Sequence, residues 1–139
     1  MKYSVKENLI IVRLDIDDEI LESIKTICEN ENVKSAVIHA IGAVKSADIA
    51  LFDFASKEYK ENSFNEFMEL LSLEGNVTKM NKETYIHLHA SLGNEKGQAL
   101  GGHLKRAVIG ATCEMFIETL PYEIKRIKDE ETGLNIFDI

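Results

Sequence analysis

The sequence predicts an α/β protein of the α+β kind, a mainly antiparallel sheet of about seven strands with one main helix packed on it. Three observations carry this. Apolar, β-branched runs recur along the chain between short polar segments. A single segment has its apolar residues at helical spacing. The connections between runs are mostly short, which suits neighbouring antiparallel strands. The 139 residues have no linker and no internal repeat, so they form one domain, 1–139.

Leu9-Ile10-Ile11-Val12-Arg13-Leu14 is a strand by composition. Asp15, Asp17 and Asp18 then offer helix N-caps and negative charge at a helix start. Ile20, Leu21, Ile24, Ile27 and Cys28 define an amphipathic helix over about residues 18–30, closed by Glu29-Asn30-Glu31-Asn32. Ser35–Val44 and Ala47–Phe54 read as two strands. From Lys57 to Asn65 the chain turns polar, with Tyr59 in a short strand. Phe67–Leu73 is a strand that Glu74-Gly75-Asn76 stops. Thr84–Leu92 alternates cleanly, and Gly93-Asn94-Glu95-Lys96-Gly97 is its turn. Ala111–Thr119 and Tyr122–Lys128 complete the set.

Composition limits the function. Hydrophobic residues at 45% and charged residues at 29% exclude a disordered tail or a fibre. The net charge is −8, which disfavours duplex nucleic acid and anionic membrane surfaces as partners. Cys28 and Cys113 stand far apart, without a CxxC pair, and read as reduced core residues. The first residues, Met1 to Glu7, hold no apolar signal core, and no stretch is long enough to span a membrane. The expected location is cytoplasmic.

The strongest chemical signal is Tyr85-Ile86-His87-Leu88-His89-Ala90. A strand repeats every two residues, so Ile86, Leu88, Ala90 and Leu92 take one face. Tyr85, His87, His89 and Ser91 take the other, with the two imidazoles about 7 Å apart along the strand. Gly101-Gly102-His103 follows the 93–97 turn, which returns His103 toward the same face. Three imidazoles suit Zn²⁺, or another divalent transition metal, with a fourth position left for water or substrate. The competing reading makes His87 and His89 half-exposed strand residues and His103 a loop residue.

Glu69 lies on the Phe67–Leu73 strand among apolar neighbours. It is a candidate catalytic residue, either accepting from an imidazole N–H or acting as general base. Alternatively it is an edge residue that reaches solvent. Glu114 is a weaker candidate of the same kind, His39 reads as a core histidine, and Arg13 as a partner for a carboxylate. No phosphate loop and no Gly-x-Ser-x-Gly elbow is present. The run Lys125-Arg126-Ile127-Lys128-Asp129-Glu130-Glu131 reads as a solvated edge.

Glu69-Leu70-Leu71-Ser72-Leu73-Glu74-Gly75-Asn76, His87-Leu88-His89 and Gly101-Gly102-His103-Leu104 together resemble the PPC (plant and prokaryote conserved) domain family. Ala40-Ile41-Gly42-Ala43 and Ala111-Thr112-Cys113-Glu114 fit its pattern, and the resemblance runs from about Leu9 to Leu120. It implies a mainly antiparallel α/β domain that assembles as a homotrimer. In plants such domains follow AT-hooks that grip DNA; no Arg-Gly-Arg-Pro hook is found here, so the stand-alone prokaryotic type is the better match. The family's His-x-His and Gly-Gly-His motifs fall on His87, His89 and His103.

The expectation is therefore a homotrimer that binds Zn²⁺ through His87, His89 and His103, with metal-assisted chemistry on a small-molecule ligand. The alternative is a DNA-binding or transcription-associated regulator, whose basic candidates are Lys79, Lys82, Lys96, Lys105 and Arg106. A third reading is a plain assembly module with structural histidines.

Overall fold

The computed structural model describes residues 1–139. Nine strands and one helix follow in the order β1 (Lys2–Lys6), β2 (Leu9–Leu14), α1 (Ile20–Asn30), β3 (Ser35–Asp53), β4 (Glu58–Phe64), β5 (Met68–Met80), β6 (Glu83–Gly93), β7 (Ala99–Leu120), β8 (Arg126–Lys128) and β9 (Asn135–Phe137). The seven strands β1–β7 form one sheet in the order β1-β2-β7-β6-β5-β3-β4, every neighbouring pair antiparallel. The predicted fold class holds.

One further ladder changes its shape. β7 also pairs with β3 along most of its length, from Ser35↔Leu120 to Ala50↔His103. The ring β3–β5–β6–β7 thereby closes on itself as a small barrel. Its interior takes alternate residues of each strand, with the parity switching at the register shifts of β5 and β7: Ile38 and Ala40 from β3, Leu70 and Leu73 from β5, Leu88, Ala90 and Leu92 from β6, Leu104 and Ile109 from β7. α1 adds Ile20, Ile24, Ile27 and Cys28, all fully buried, to the same apolar cluster of 27 residues.

Several boundaries differ from the sequence reading. The two strands expected over 35–54 are one, β3, whose register shifts absorb the polar interruption between Val44 and Ser46. β5 runs straight through Glu74-Gly75-Asn76, because Gly75 packs against the backbone of β6 rather than turning the chain. β7 begins at Ala99, so His103 is a strand residue and not a loop residue. The helix starts at Ile20, capped by Glu19 rather than by an aspartate: Glu19 Oε2 accepts from the Glu22 N–H at 2.8 Å. Its Oε1 accepts from the Ala107 N–H of β7 at 2.9 Å, tying α1 to the sheet. Asp18 instead accepts from the Asp15 N–H and pairs with the chain's amino terminus.

The C-terminal strand expected over 122–128 shrinks to β8, which pairs with β9 as a separate two-stranded ribbon. Two hydrogen bonds pin this segment across the ends of β5 and β3: Lys79 N–H donates to Ile124 O, and Ile124 N–H to the Ser35 side-chain Oγ. Cys28 and Cys113 are buried free thiols, as expected. Burial pushes their pKa values up, to about 11 and about 12. No helix is long and apolar enough to cross a membrane.

Candidate metal centre

His87 and His89 alternate with the buried Leu88 on β6, so both point away from the barrel interior. β7 returns antiparallel after the 93–97 turn and sets His103 directly opposite His89. Gly101 permits this approach, since a Cβ there would lie 2.8 Å from Ala90 O on β6, and Gly102 permits that of β7 to β3, where a Cβ would lie 2.8 Å from Ala50 O. The three rings converge, with centroids 5.2 Å apart for His87–His89, 5.2 Å for His87–His103 and 5.7 Å for His89–His103. One nitrogen from each lies within 4.8 Å of the others. The expected trio is thus brought together on one surface.

The chemistry of the group suits a cation. His103 Nδ1 is buried without a hydrogen-bond partner, an uncommon state for a ring nitrogen. Burial holds the His103 pKa down at about 4, with the neighbouring imidazoles and Lys105 adding to the effect. Burial also lowers that of His87, followed by the nearby Arg126 charge. Both rings are therefore neutral at pH 7 and keep a lone pair for a ligand bond. A tetrahedral Zn²⁺ with Zn–N bonds of about 2.0–2.1 Å needs its nitrogens somewhat closer together, within reach of side-chain rotation. The residues present fit a three-imidazole metal ion.

Tyr59 of β4 stacks on His103 with ring centroids 4.9 Å apart, and Lys105 Nζ sits 4.5 Å from the Tyr59 ring centre. The histidines lie in a hollow of about 750 Å³, lined by residues of β3, β4, β5, β6, β7 and the C-terminal ribbon.

The other candidates lie elsewhere. Glu69 pairs with Gly93, five residues along β5 from Glu74, the partner of His89. Met68 and Leu70 face the core, so Glu69 is exposed and borders a separate hollow with Ile41, Phe67 and Leu71. It does not join the histidine group within the chain. Glu114 is exposed on the same outer surface. His39 is exposed rather than a core residue, because the Ala36–Ile38–Ala40 parity takes the interior. Arg13 pairs with Asp15 at 2.9 Å, a carboxylate as expected.

Arg126 escaped the sequence reading. Expected in a solvated edge, it is only 8% exposed. Its Nε donates to Thr78 Oγ1, Nη1 to Asn135 O and Nη2 to Asn76 Oδ1. Tyr85 and Phe137 pack on the guanidinium at 4.8 and 4.6 Å. No sequence pattern marks it, since its neighbours Lys125 and Lys128 are equally basic.

Residues 1–121 match the model of the Plants and Prokaryotes Conserved (PCC) domain. A crystal structure from Bacteroides thetaiotaomicron, of a protein provisionally described as DNA-binding, superposes with a TM-score of 0.95. It shares 32% identity and covers 99% of this chain and 96% of that one. The metal-containing protein AF0104 of Archaeoglobus fulgidus gives a TM-score of 0.88 at 35% identity, covering 98% and 96%. The bifunctional protein GlmU of Synechococcus sp. is 29% identical over 99 residues, 70% of this chain. The chain spans only 14% of GlmU's length.

Proposed function

The chain belongs to the Plants and Prokaryotes Conserved domain family, and from that premise we propose that it binds Zn²⁺ through His87, His89 and His103 to act on a small molecule. The observation that carries this is the convergence of three imidazole nitrogens within 4.8 Å at the floor of a hollow. The metal content of the Archaeoglobus relative, similar over nearly its whole length, supports it. Neutral imidazole nitrogens accept Zn²⁺ as they accept Ni²⁺ and Cu²⁺, and a three-histidine set with a fourth position free is a common catalytic arrangement for Zn²⁺.

Held by His87, His89 and His103, Zn²⁺ would supply a Lewis acid to a ligand in the hollow. The chain's own residues prepare the rest. Tyr59 holds the His103 ring by stacking. Apolar side chains from β3 and β9 exclude water from part of the hollow. The Tyr85 hydroxyl accepts from Asn135 Nδ2 at 3.2 Å, which fixes the ribbon over the site.

We further propose a homotrimer. Ile41, Phe67 and Leu71 surround one exposed hollow, Ile11 and Phe116 the next, with Glu114 bordering both. Apolar surface of this kind favours burial against another copy. Sedimentation equilibrium tests it, with Leu71→Asp expected to give monomers.

The DNA reading draws on the descriptions of relatives such as the Bacteroides protein. Against it stand the net charge of −8 and the dispersal of the basic candidates. Lys105 lies on Tyr59, Arg106 reaches toward Asp48, and Lys79 and Lys82 border a different hollow.

Elemental mass spectrometry on untagged protein, beside a His87→Ala/His89→Ala double variant, tests the metal. About one Zn per chain, lost in the variant, is the expected result. Metal-free protein that also refuses added Zn²⁺, yet binds duplex DNA at moderate salt, would hand the function to the alternative.

A further inference from the structure

We propose that the hollow above the histidines takes a small organic carboxylate, its anionic end held by Arg126 and its apolar body lying against the walls. This rests on the metal reading only for what meets the ligand's other end.

The argument starts from an uncompensated charge. A guanidinium carries five N–H donors. In this chain three of them reach neutral acceptors: a threonine hydroxyl, an asparagine side-chain oxygen and a backbone carbonyl. No aspartate or glutamate pairs with Arg126, although acidic residues outnumber basic ones 24 to 16. No acidic side chain lines the hollow at all. Burying a cation among neutral partners costs stability unless a counter-charge arrives. Nη1 and Nη2 each keep one N–H without a protein acceptor.

The surroundings select the kind of anion. Tyr85 and Phe137 flank the guanidinium, and Thr78, Asn76 and the Asn135 carbonyl fix its orientation. A fixed planar fork matches a carboxylate better than a mobile ammonium would. Asn76 is also the cross-strand partner of His87, so the fork stands beside the histidine group. The rest of the lining includes Leu51, Phe52, Tyr59, Leu134, Ile136 and Phe137. One cation in a largely apolar wall suits a monoanion with a hydrocarbon or aromatic body. In the metal-free protein a phosphate would leave its second charge without a partner.

Arg126, Asn135 and Phe137 all lie past residue 121, where the family match ends. The metal ligands come from the matched sheet; the anion reader comes from the ribbon laid across it.

Calorimetric titration of benzoate against benzamide, on both metal-free and Zn²⁺-loaded protein, tests this. Benzoate is expected to bind at least tenfold more tightly than benzamide in both forms. Arg126→Gln and Arg126→Lys should each lose at least tenfold in benzoate affinity while the protein stays folded and keeps its Zn content. Phe137→Ala should weaken benzoate and benzamide together. Equal affinity for acid and amide, or unchanged benzoate binding in Arg126→Gln, would overturn the proposal. So would inorganic phosphate displacing benzoate from the metal-free protein at lower concentration, which would move the site to phosphoryl ligands. Benzoate binding that needs Arg126 in a protein refusing Zn²⁺ would uphold the anion site while overturning the metal reading. Zn²⁺ binding without benzoate selectivity would do the reverse.

Discussion

Replacing His103 by phenylalanine should make the metal-free protein more stable and the zinc-treated protein comparatively less so. The ring keeps its stacking shape against Tyr59, 4.9 Å away, but loses Nδ1, which is buried with no hydrogen-bond partner. An unsatisfied buried polar atom costs about 1–3 kcal/mol. The slightly larger phenyl ring returns part of that as crowding, leaving a gain of about 1 kcal/mol. An unfolding entropy of about 2.1 cal/mol/K per residue, over 139 residues, amounts to about 0.29 kcal/mol/K. The metal-free Tm should therefore rise by about 3 °C. Zinc at a hundred times its Kd adds about 2.7 kcal/mol to the native protein, or about 9 °C, and the variant should forfeit that rise. Differential scanning calorimetry with and without Zn²⁺ reads both signs on one sample. A variant that is less stable without metal, or that keeps the full zinc response, would refute the reasoning.

Other consequences are open to direct measurement. Gly75→Ala should destabilise the fold by more than about 3 kcal/mol and impair zinc uptake, because its Cβ would lie 1.9 Å from His87 O. Urea unfolding with metal analysis checks both, and a variant with native Tm and full zinc would contradict the close approach. Glu19→Ala removes the α1 cap and leaves the Ala107 N–H without its acceptor, for a loss of about 2–4 kcal/mol; a change under 0.5 kcal/mol would show that neither bond matters. The two thiols should resist a disulfide reagent at pH 8 until the protein unfolds, since burial holds both largely protonated. Their folded pKa values, about 11 and about 12, lie above the ordinary 9.0. Their contribution to stability is thus full below pH 9 and lost as pH rises through 11 to 12. Cys28→Ser/Cys113→Ser should lose that part of the alkaline fall, and an identical alkaline curve would argue against it.

Much of the architecture is legible in local pattern. Leu88, Ala90 and Leu92 are buried and His87 and His89 face away from the interior, as strand parity demands. The helix lies within a residue or two of its expected span because Ile20, Ile24 and Ile27 leave only one face to bury. The same logic leaves Glu69 open between its two readings: its strand carries apolar residues at both parities, and only the packing, with Met68 and Leu70 inward, turns Glu69 to solvent. Glycine misled in the same way at Gly75, where it serves a close approach between strands rather than a turn.

The sequence by itself determined the strand-rich class, the single helix and the shared face of His87 and His89. Those follow from side-chain periods of 2.0 and 3.6, which are properties of a few consecutive residues. Only the tertiary structure decided that β3 and β7 close the sheet and that His103 stands opposite His89. It alone turned Arg126 from an apparent surface charge into a buried one. Register and burial are settled by contacts between residues distant in the chain, such as Arg126 with Thr78 and Asn76, and no local period encodes those distances.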